Sequence, residues 1–234
     1  MPQSRYNAPT PNDEDMMKLW SDSFKDGEAI PGEFAFCVID PAAHVAMSSN
    51  RNPHLAWSDA PAGVQSYALI VHDPDVPSRG DDVNQEGKTV PADLPRVDFF
   101  HWTLVDIPSN VNAIAAGTFS DGVTPRGKAG PAIADSSIPD ARHGINDYTG
   151  WFSQDKDMSG DYFGYDGPCP PWNDAIAHRY TFTLYALDIA SLPVHGRFNG
   201  VQARAAIAGH VLAEASLTGW YSLNPSVPAT GKKA

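Results

Sequence analysis

Three stretches of the chain carry the periodicity of strands. Ser66 to His72 is apolar at nearly every position, as expected for a strand buried on both faces between two layers. Asp98 to Asp106 alternates, and a period of two predicts Phe99, His101, Thr103 and Val105 on one face. His178 to Asp188 is rich in aromatic and β-preferring residues and predicts His178, Tyr180 and Phe182 on one face, with Arg179 on the other. Shorter strands are predicted over Glu33–Ile39 and Leu55–Trp57. One helix is signalled after Asn199, where Asn199 and Gln202 have capping-box spacing. Ile207 and Val211 continue it at helical spacing, and Gly219 reads as its stop.

Between these elements the pattern fades. Residues 107–166 and 77–95 are rich in Gly, Pro and Asp and hold no sustained period. Connections this long inside a compact domain are usually functional or partly disordered. Residues 1–15 read as a disordered tail and 225–234 as a second tail, which leaves a single domain over 16–224.

Composition narrows the fold class. The 21 prolines and 19 glycines among 234 residues imply many turns, hence many short strands rather than a helical bundle. The expectation from composition is a single, mostly β sandwich. A net charge of −12 without a Lys/Arg cluster argues against nucleic acid and against electrostatic docking on an anionic membrane. It leaves room for a local anion pocket, because screening limits exposed charges to a reach of about 8–10 Å. Met1 to Met16 has no apolar core of a secretory signal, and no run approaches the length of a membrane span. Cys37 and Cys169 are accordingly read as reduced thiols of a cytoplasmic protein.

Four features invite chemistry, and each has a plain structural reading beside it. Asp73-Pro74-Asp75-Val76-Pro77 offers two carboxylates at the end of a buried strand, and also reads as an ordinary turn. His101 lies within a strand between Phe100 and Trp102, where a hydrogen-bonded core histidine is common. Gly167-Pro168-Cys169-Pro170-Pro171 makes a rigid loop suited to a pocket wall or to a stiff connector. His178-Arg179-Tyr180 opens a strand with His178 and Tyr180 on one side; Arg179 reads as a surface or ion-pair residue.

In order along the chain, these blocks resemble the phosphatidylethanolamine-binding proteins, also called Raf kinase inhibitor-like proteins, in their bacterial and archaeal branch. Ser23–Pro31 resembles the opening of that branch. Asn52–Trp57 matches the next block with Asn52 and His54 where Ser and Pro are usual, and Pro61–Gly63 follows. Asp73–Pro77, Phe100-His101-Trp102, Asn146-Asp147-Tyr148, Gly164–Pro171 and His178-Arg179-Tyr180 complete the series. The resemblance implies a Greek-key β-sandwich with a few peripheral helices. It implies an anion pocket for phosphate or a phospholipid's phosphoryl head group, formed here by Asp73, Asp75, Pro77, His101, Cys169, Pro170, His178 and Tyr180. It also implies a weak expectation of a homodimer. In this reading Asp73 or Asp75 orients a protonated His101, while His178 and Tyr180 supply further donors.

The sequence departs from the branch in a long 77–95 segment, an apparent insertion at 149–163, and six residues between Pro171 and His178. Trp151, Phe152, Phe163 and Trp172 are candidates either to wall the pocket or to anchor these loops. A non-enzymatic binding protein without metal or cofactor is expected. Two alternatives stay open: a hydrolase or metal-assisted enzyme using the Asp/His set, although no metal-site spacing, His-Glu-x-x-His or Gly-x-Ser-x-Gly is present, and a kinase-type protein–protein inhibitor.

Overall fold

The computed structural model of the chain describes residues 16–133 and 138–231. The tail expected over 1–15, and residues 232–234 of the other, lie outside the described residues. Residues 225–231 form turns that close on Trp220, so that a Cβ at Gly231 would come 2.7 Å from its ring.

The central element is a five-stranded antiparallel sheet. Its strands are β5 (Ser66–Pro77), β6 (Arg96–Pro108), β9 (Arg142–His143), β11 (His178–Leu187) and β12 (Val211–Tyr221), in the order β12-β11-β5-β6-β9. β11 thus returns beside β5 from far along the chain, which makes the pairing non-local. Facing this sheet are a three-stranded sheet, β1 (Lys18–Trp20), β4 (Leu55–Ser58) and β7 (Ala113–Ile114), and a hairpin of β2 (Cys37–Asp40) and β3 (His44–Met47). β8 (Gly127–Lys128) and β10 (Asp161–Tyr162) form a short parallel pair. A one-turn helix, α1 (Tyr148–Trp151), and a longer one, α2 (Gly200–Ile207), complete the elements. The fold is a mostly β sandwich, as the turn-rich composition implies.

Each face of the five-stranded sheet has its own core. Leu69, Val71, Trp102, Leu104, Tyr180, Phe182 and Leu184 pack on one face against Phe36, Leu55 and Trp57. On the other, Ala68, Ile70, Phe100 and Val105 pack under Ala203 and Ile207 of α2 and under Phe198. This two-sided burial accounts for the continuous apolar run of β5.

Three sequence expectations change. First, β6 does not alternate through its length. Val71 faces Trp102 and His72 faces Phe100, so His101 is an extra residue without a partner on β5: a β-bulge. A second shift, between Tyr67 and Leu69, accommodates Asp106 at φ 59°. Phe99, Trp102 and Leu104 therefore share one core, while Phe100 and Val105 join the other. The single face expected for Phe99, His101, Thr103 and Val105 is broken by the bulge. Second, the helix keeps its expected capping box, with Asn199 and Gln202 bonding reciprocally at 3.0 Å, but ends at Ile207. Gly209 takes φ +88° and Val211 opens β12. Gly219 is a close-approach residue within that strand and not a stop. A Cβ there would lie 2.4 Å from Ile30. The strand expected from Glu33 likewise begins only at Cys37, because Gly32–Phe34 forms a 3-10 turn after Pro31.

Candidate ligand-binding pocket

A cavity of about 360 Å³ opens where the ends of β5, β6 and β11 meet β2 and the loops 77–95 and 167–177. Asp73, Pro77, His101, Cys169, Pro170, His178 and Tyr180 all line it. Asp75 does not.

A register shift of β5 between Asp73 and Val76 breaks its alternation and turns Asp75 away, where its carboxylate accepts from Arg179 three times: backbone N at 2.9 Å, Nε at 2.8 Å and Nη2 at 2.7 Å. Burial raises the Asp75 pKa, but these donors outweigh it and hold the carboxyl below its ordinary range. Arg179 is thus the ion-pair residue that the strand period implied, and the pair locks β5 to β11 beneath the pocket.

His178 forms the back of the site and is fully buried. Its Nδ1 lies 2.7 Å from Asp73 Oδ2 and its Nε2 3.1 Å from Asp174 Oδ2. Burial opposes charge on the ring, but Asp73, joined by the hydrogen bonds to Asp174 and Asp73, overcomes it and raises the pKa to about 9. Both nitrogens of this imidazolium are donors to carboxylates, so neither remains for a ligand or a metal. Arg96 closes the set by a bidentate pair to Asp174, at 2.7 and 3.0 Å. Burial raises the Asp174 pKa, whereas bonds from His178 and Arg96 lower it further, with a net downward shift.

His101 is held differently from the expectation. Its Nδ1 meets the carbonyl oxygen of Asp166 at 2.8 Å, and Asp166 N donates back to the His101 carbonyl at 3.1 Å. Among the described residues no carboxylate is hydrogen-bonded to this ring. Burial pushes its pKa below the ordinary histidine value, against the pull of Asp73. The neutral tautomer therefore carries its proton on Nδ1 and presents Nε2, which has no hydrogen bond to the described residues. Asp166 is fixed by Asn50 (2.8 Å), Asn146 (2.7 Å) and Lys128 (3.0 Å). Asp147 anchors the same strand by bonds to Phe100 N and O at 2.7 and 2.9 Å.

The ring of Tyr180 meets His101 edge-on, with centroids 5.1 Å apart. Its hydroxyl is buried without a hydrogen-bond partner of good geometry. Burial, then the nearby charge of Asp73, raises the phenol well above its ordinary pKa, so it remains an O–H donor.

Cys37 and Cys169 both line the cavity and are joined as a disulfide, with Cα atoms 5.0 Å apart. The reading of two reduced thiols is corrected. Phe36 N and Cys37 N both donate to the Pro168 carbonyl, at 2.9 and 3.2 Å, which lays the proline loop along β2 and brings the sulfurs together.

The chain is similar to known proteins over most of its length. The family model described as phosphatidylethanolamine-binding protein matches residues 20–222. This chain belongs to the phosphatidylethanolamine-binding protein family. Its curated relatives include the UPF0098 protein YbhB of Escherichia coli, 28% identical over 88% of this chain and all of that one. A UPF0098 protein of Chlamydia muridarum is 30% identical over 88% of this chain and 98% of its own length. Among solved structures, E. coli YbcL, a member of the mammalian PEBP family, superposes with a TM-score of 0.62 at 25% identity. It covers 88% of this chain and 98% of that one. The PEBP homolog CT736 of Chlamydia trachomatis gives 0.57 at 26% identity, over 89% of this chain and 98% of that one.

Within this family framework, the site contains residues that the sequence pattern did not single out. Asp174 and Arg96 complete the charge network, Asp166 orients His101, and Arg79 stands at the mouth with its side chain 69% exposed. Asp174 precedes His178 by four residues, and Arg79 follows Pro77 by two; these short spacings are the only sequence signal for them. Of the four aromatic residues considered as walls, Trp151 and Phe152 line the cavity. Phe163 instead packs over Gly130. Trp172 stacks on His44 at 3.8 Å, bracing the rim. Among the described residues no group of three or more His, Cys, Asp or Glu side chains is placed to hold a metal. No helix among them is long and apolar enough to cross a membrane.

Proposed function

We propose that this protein is a binding protein whose pocket captures the phosphoryl group of a small phosphorylated molecule or of a lipid head group. The observation that carries this reading is a pair of unsatisfied polar atoms on one cavity floor. The Tyr180 hydroxyl is buried without a hydrogen bond of good geometry, with Asp73 a nearby acceptor, and His101 Nε2 has no hydrogen bond to the described residues. A buried polar atom without a hydrogen bond costs about 1–3 kcal/mol, which a ligand oxygen would relieve.

The nearby carboxylates do not forbid an anion. Asp73 is bonded to the His178 imidazolium and to the backbone N of Asp75, so its charge is partly neutralised by the buried cation. Tyr180 donates to one ligand oxygen. His101 is neutral in the empty pocket, so it must either accept a proton from a P–OH group or take one up when a fully ionised phosphate binds. Arg79 adds a cation at the mouth. Binding is then linked to protons, and affinity falls as pH rises. The hydrolase reading is weaker, because both nitrogens of His178 are committed to carboxylates.

Isothermal titration with inorganic phosphate and with phosphorylethanolamine tests the reading. Binding by the unaltered protein, with at least tenfold loss in His101→Ala, supports it. Equal affinity in both proteins, or none in either, would sink it.

A further inference from the structure

Two sulfur atoms stand in the cavity wall and take no part in the phosphoryl floor. Cys37 on β2 is buried, Cys169 in the proline loop is the less buried of the two, and both line the cavity. A disulfide beside an open cavity can be reached by a small molecule, whereas one sealed in a core cannot. The bridge also stands alone in its segment. Among the described residues no hydrogen bond is made by Cys169 or Pro170, and Pro170 and Pro171 have no N–H to offer. On either side the chain is held. Gly167 N donates to Asn50 Oδ1 and the Tyr148 hydroxyl to the Gly167 carbonyl, both at 2.8 Å. Trp172 N donates to Asn84 Oδ1 at 3.0 Å, and Asp174 N to the Pro171 carbonyl at 3.1 Å. Cys169–Pro171 is therefore a short piece of pocket wall whose one covalent or hydrogen-bonded tie to β2 is the sulfur bridge. The entropy that closing a 132-residue separation removes belongs to the unfolded chain, so cutting the bond in the folded protein frees this piece without requiring the fold to open.

We propose that Cys37–Cys169 is a redox-active site of the pocket whose co-reactant is a small thiol entering through the cavity mouth. A thiolate attacks the Cys169 sulfur. A new sulfur–sulfur bond forms to the small molecule, the Cys37–Cys169 bond breaks, and its electron pair leaves on Cys37, which takes up a proton. A second thiolate then attacks the small molecule's sulfur, and Cys169 leaves as a thiolate and is protonated in turn. The protein gains two electrons and two protons, and two thiols become one small-molecule disulfide. Met47 guards the approach. It stands opposite Cys37 on β3, lines the same cavity and is 57% exposed. Directly opposed residues of an antiparallel pair have Cβ atoms about 4.5–5.5 Å apart on one face, which sets the Met47 side chain beside the bridge. The reduced state releases Cys169–Pro171 from β2, so thiol supply sets the shape of the pocket wall. The site is independent of the phosphoryl reading.

The test treats the full oxidised chain with dithiothreitol under native conditions, traps free thiols with iodoacetamide and counts them by mass spectrometry, while near-ultraviolet circular dichroism follows the fold. Both cysteines should be alkylated in protein that keeps its dichroism, at a rate proportional to thiol concentration. Met47→Ala should react severalfold faster and Met47→Phe severalfold slower; Met47 is exposed, so both variants should fold. The Trp172 amide should exchange severalfold faster in the reduced, folded protein. Thiols that appear only after denaturant is added, or only as the dichroism is lost, would overturn the proposal, because the bridge would then be a closed staple. Equal rates in both Met47 variants would overturn entry through the cavity. Unchanged exchange at Trp172 would overturn release of the wall.

Discussion

Asp73 and His178 are joined by a 2.7 Å bond, and both side chains are almost wholly removed from water. Sequence proximity does not make this contact: 105 residues separate the two. The antiparallel pairing of β5 with β11 does, by carrying both residues to the same end of the sheet. His178 is thereby converted from a prospective ligand donor into a structural cation between two carboxylates, and each Asp73 oxygen accepts one bond, from His178 and from the backbone N of Asp75.

A pH dependence follows. The His178 pKa is raised from its ordinary 6.5 to about 9 in the folded state. A raised pKa means that the folded protein binds the proton more tightly than the unfolded chain. This stabilisation is complete below about pH 6.5 and is lost as pH rises through about 9. Its size is on the order of 3 kcal/mol. Urea unfolding at pH 6, 7.5 and 9.5 should show the midpoint falling across the upper interval. His178→Gln should be less stable at pH 6 and should lose that pH slope.

Arg96 tests the outer half of the same network. Its guanidinium is the only Lys or Arg group bonded to the buried Asp174 among the described residues. Arg96→Met leaves Asp174 and Asp73 sharing one imidazolium. Removing one partner of a buried pair costs about 3–5 kcal/mol, so the variant should melt well below the parent in calorimetry.

Much of this arrangement was legible in the sequence, for identifiable reasons. The three long strands announced themselves because β5 is buried on both faces and β11 alternates cleanly. Pro77, Cys169, Pro170 and Tyr180 reach the cavity because they sit near strand ends or in a stiff loop, and His101 reaches it at its bulge within β6. Other features depend on contacts between distant segments. A bulge at His101 has no local signal, since it is defined by the pairing of β5 with β6. The disulfide requires a loop to be laid against β2 across 132 residues. β12 was taken into the preceding helix because Ile207 and Val211 have helical spacing, whereas Gly209 breaks the chain direction between them.

Tyr180 offers a test in which stability and binding move in opposite directions. Its hydroxyl is buried without a hydrogen bond of good geometry. Tyr180→Phe removes that unmet group and should raise stability by about 1 kcal/mol. If the hydroxyl serves a ligand oxygen, the same variant should bind phosphate about tenfold more weakly. A stabilised protein with unchanged phosphate affinity would show that the hydroxyl has no ligand role.

The disulfide gives a further prediction. In the chain-entropy picture, a bridge closing so long a loop contributes up to about 5 kcal/mol, with 2–5 kcal/mol typical of its removal. Cys37→Ser with Cys169→Ser should lower the melting temperature measurably. It should also loosen the proline loop at the pocket, detected as faster amide exchange of Phe36, whose N–H is bonded to Pro168.

The neutral state of His101 makes binding itself a proton reaction. Burial holds its pKa below the ordinary value, so at pH 7 the free protein carries no proton on Nε2. Titrations in buffers of different ionisation heat should reveal uptake of up to one proton per phosphate bound. Affinity should fall by up to tenfold per pH unit above neutrality. His101→Gln should abolish both effects.

The most direct measurement is a crystal structure of the protein with phosphorylethanolamine. The expected result is phosphoryl density on the cavity floor, with its oxygens about 2.6–3.2 Å from His101 Nε2 and from the Tyr180 hydroxyl. Density found only at the exposed mouth beside Arg79, with His101 Nε2 and Tyr180 still unengaged at saturating ligand, would contradict the account.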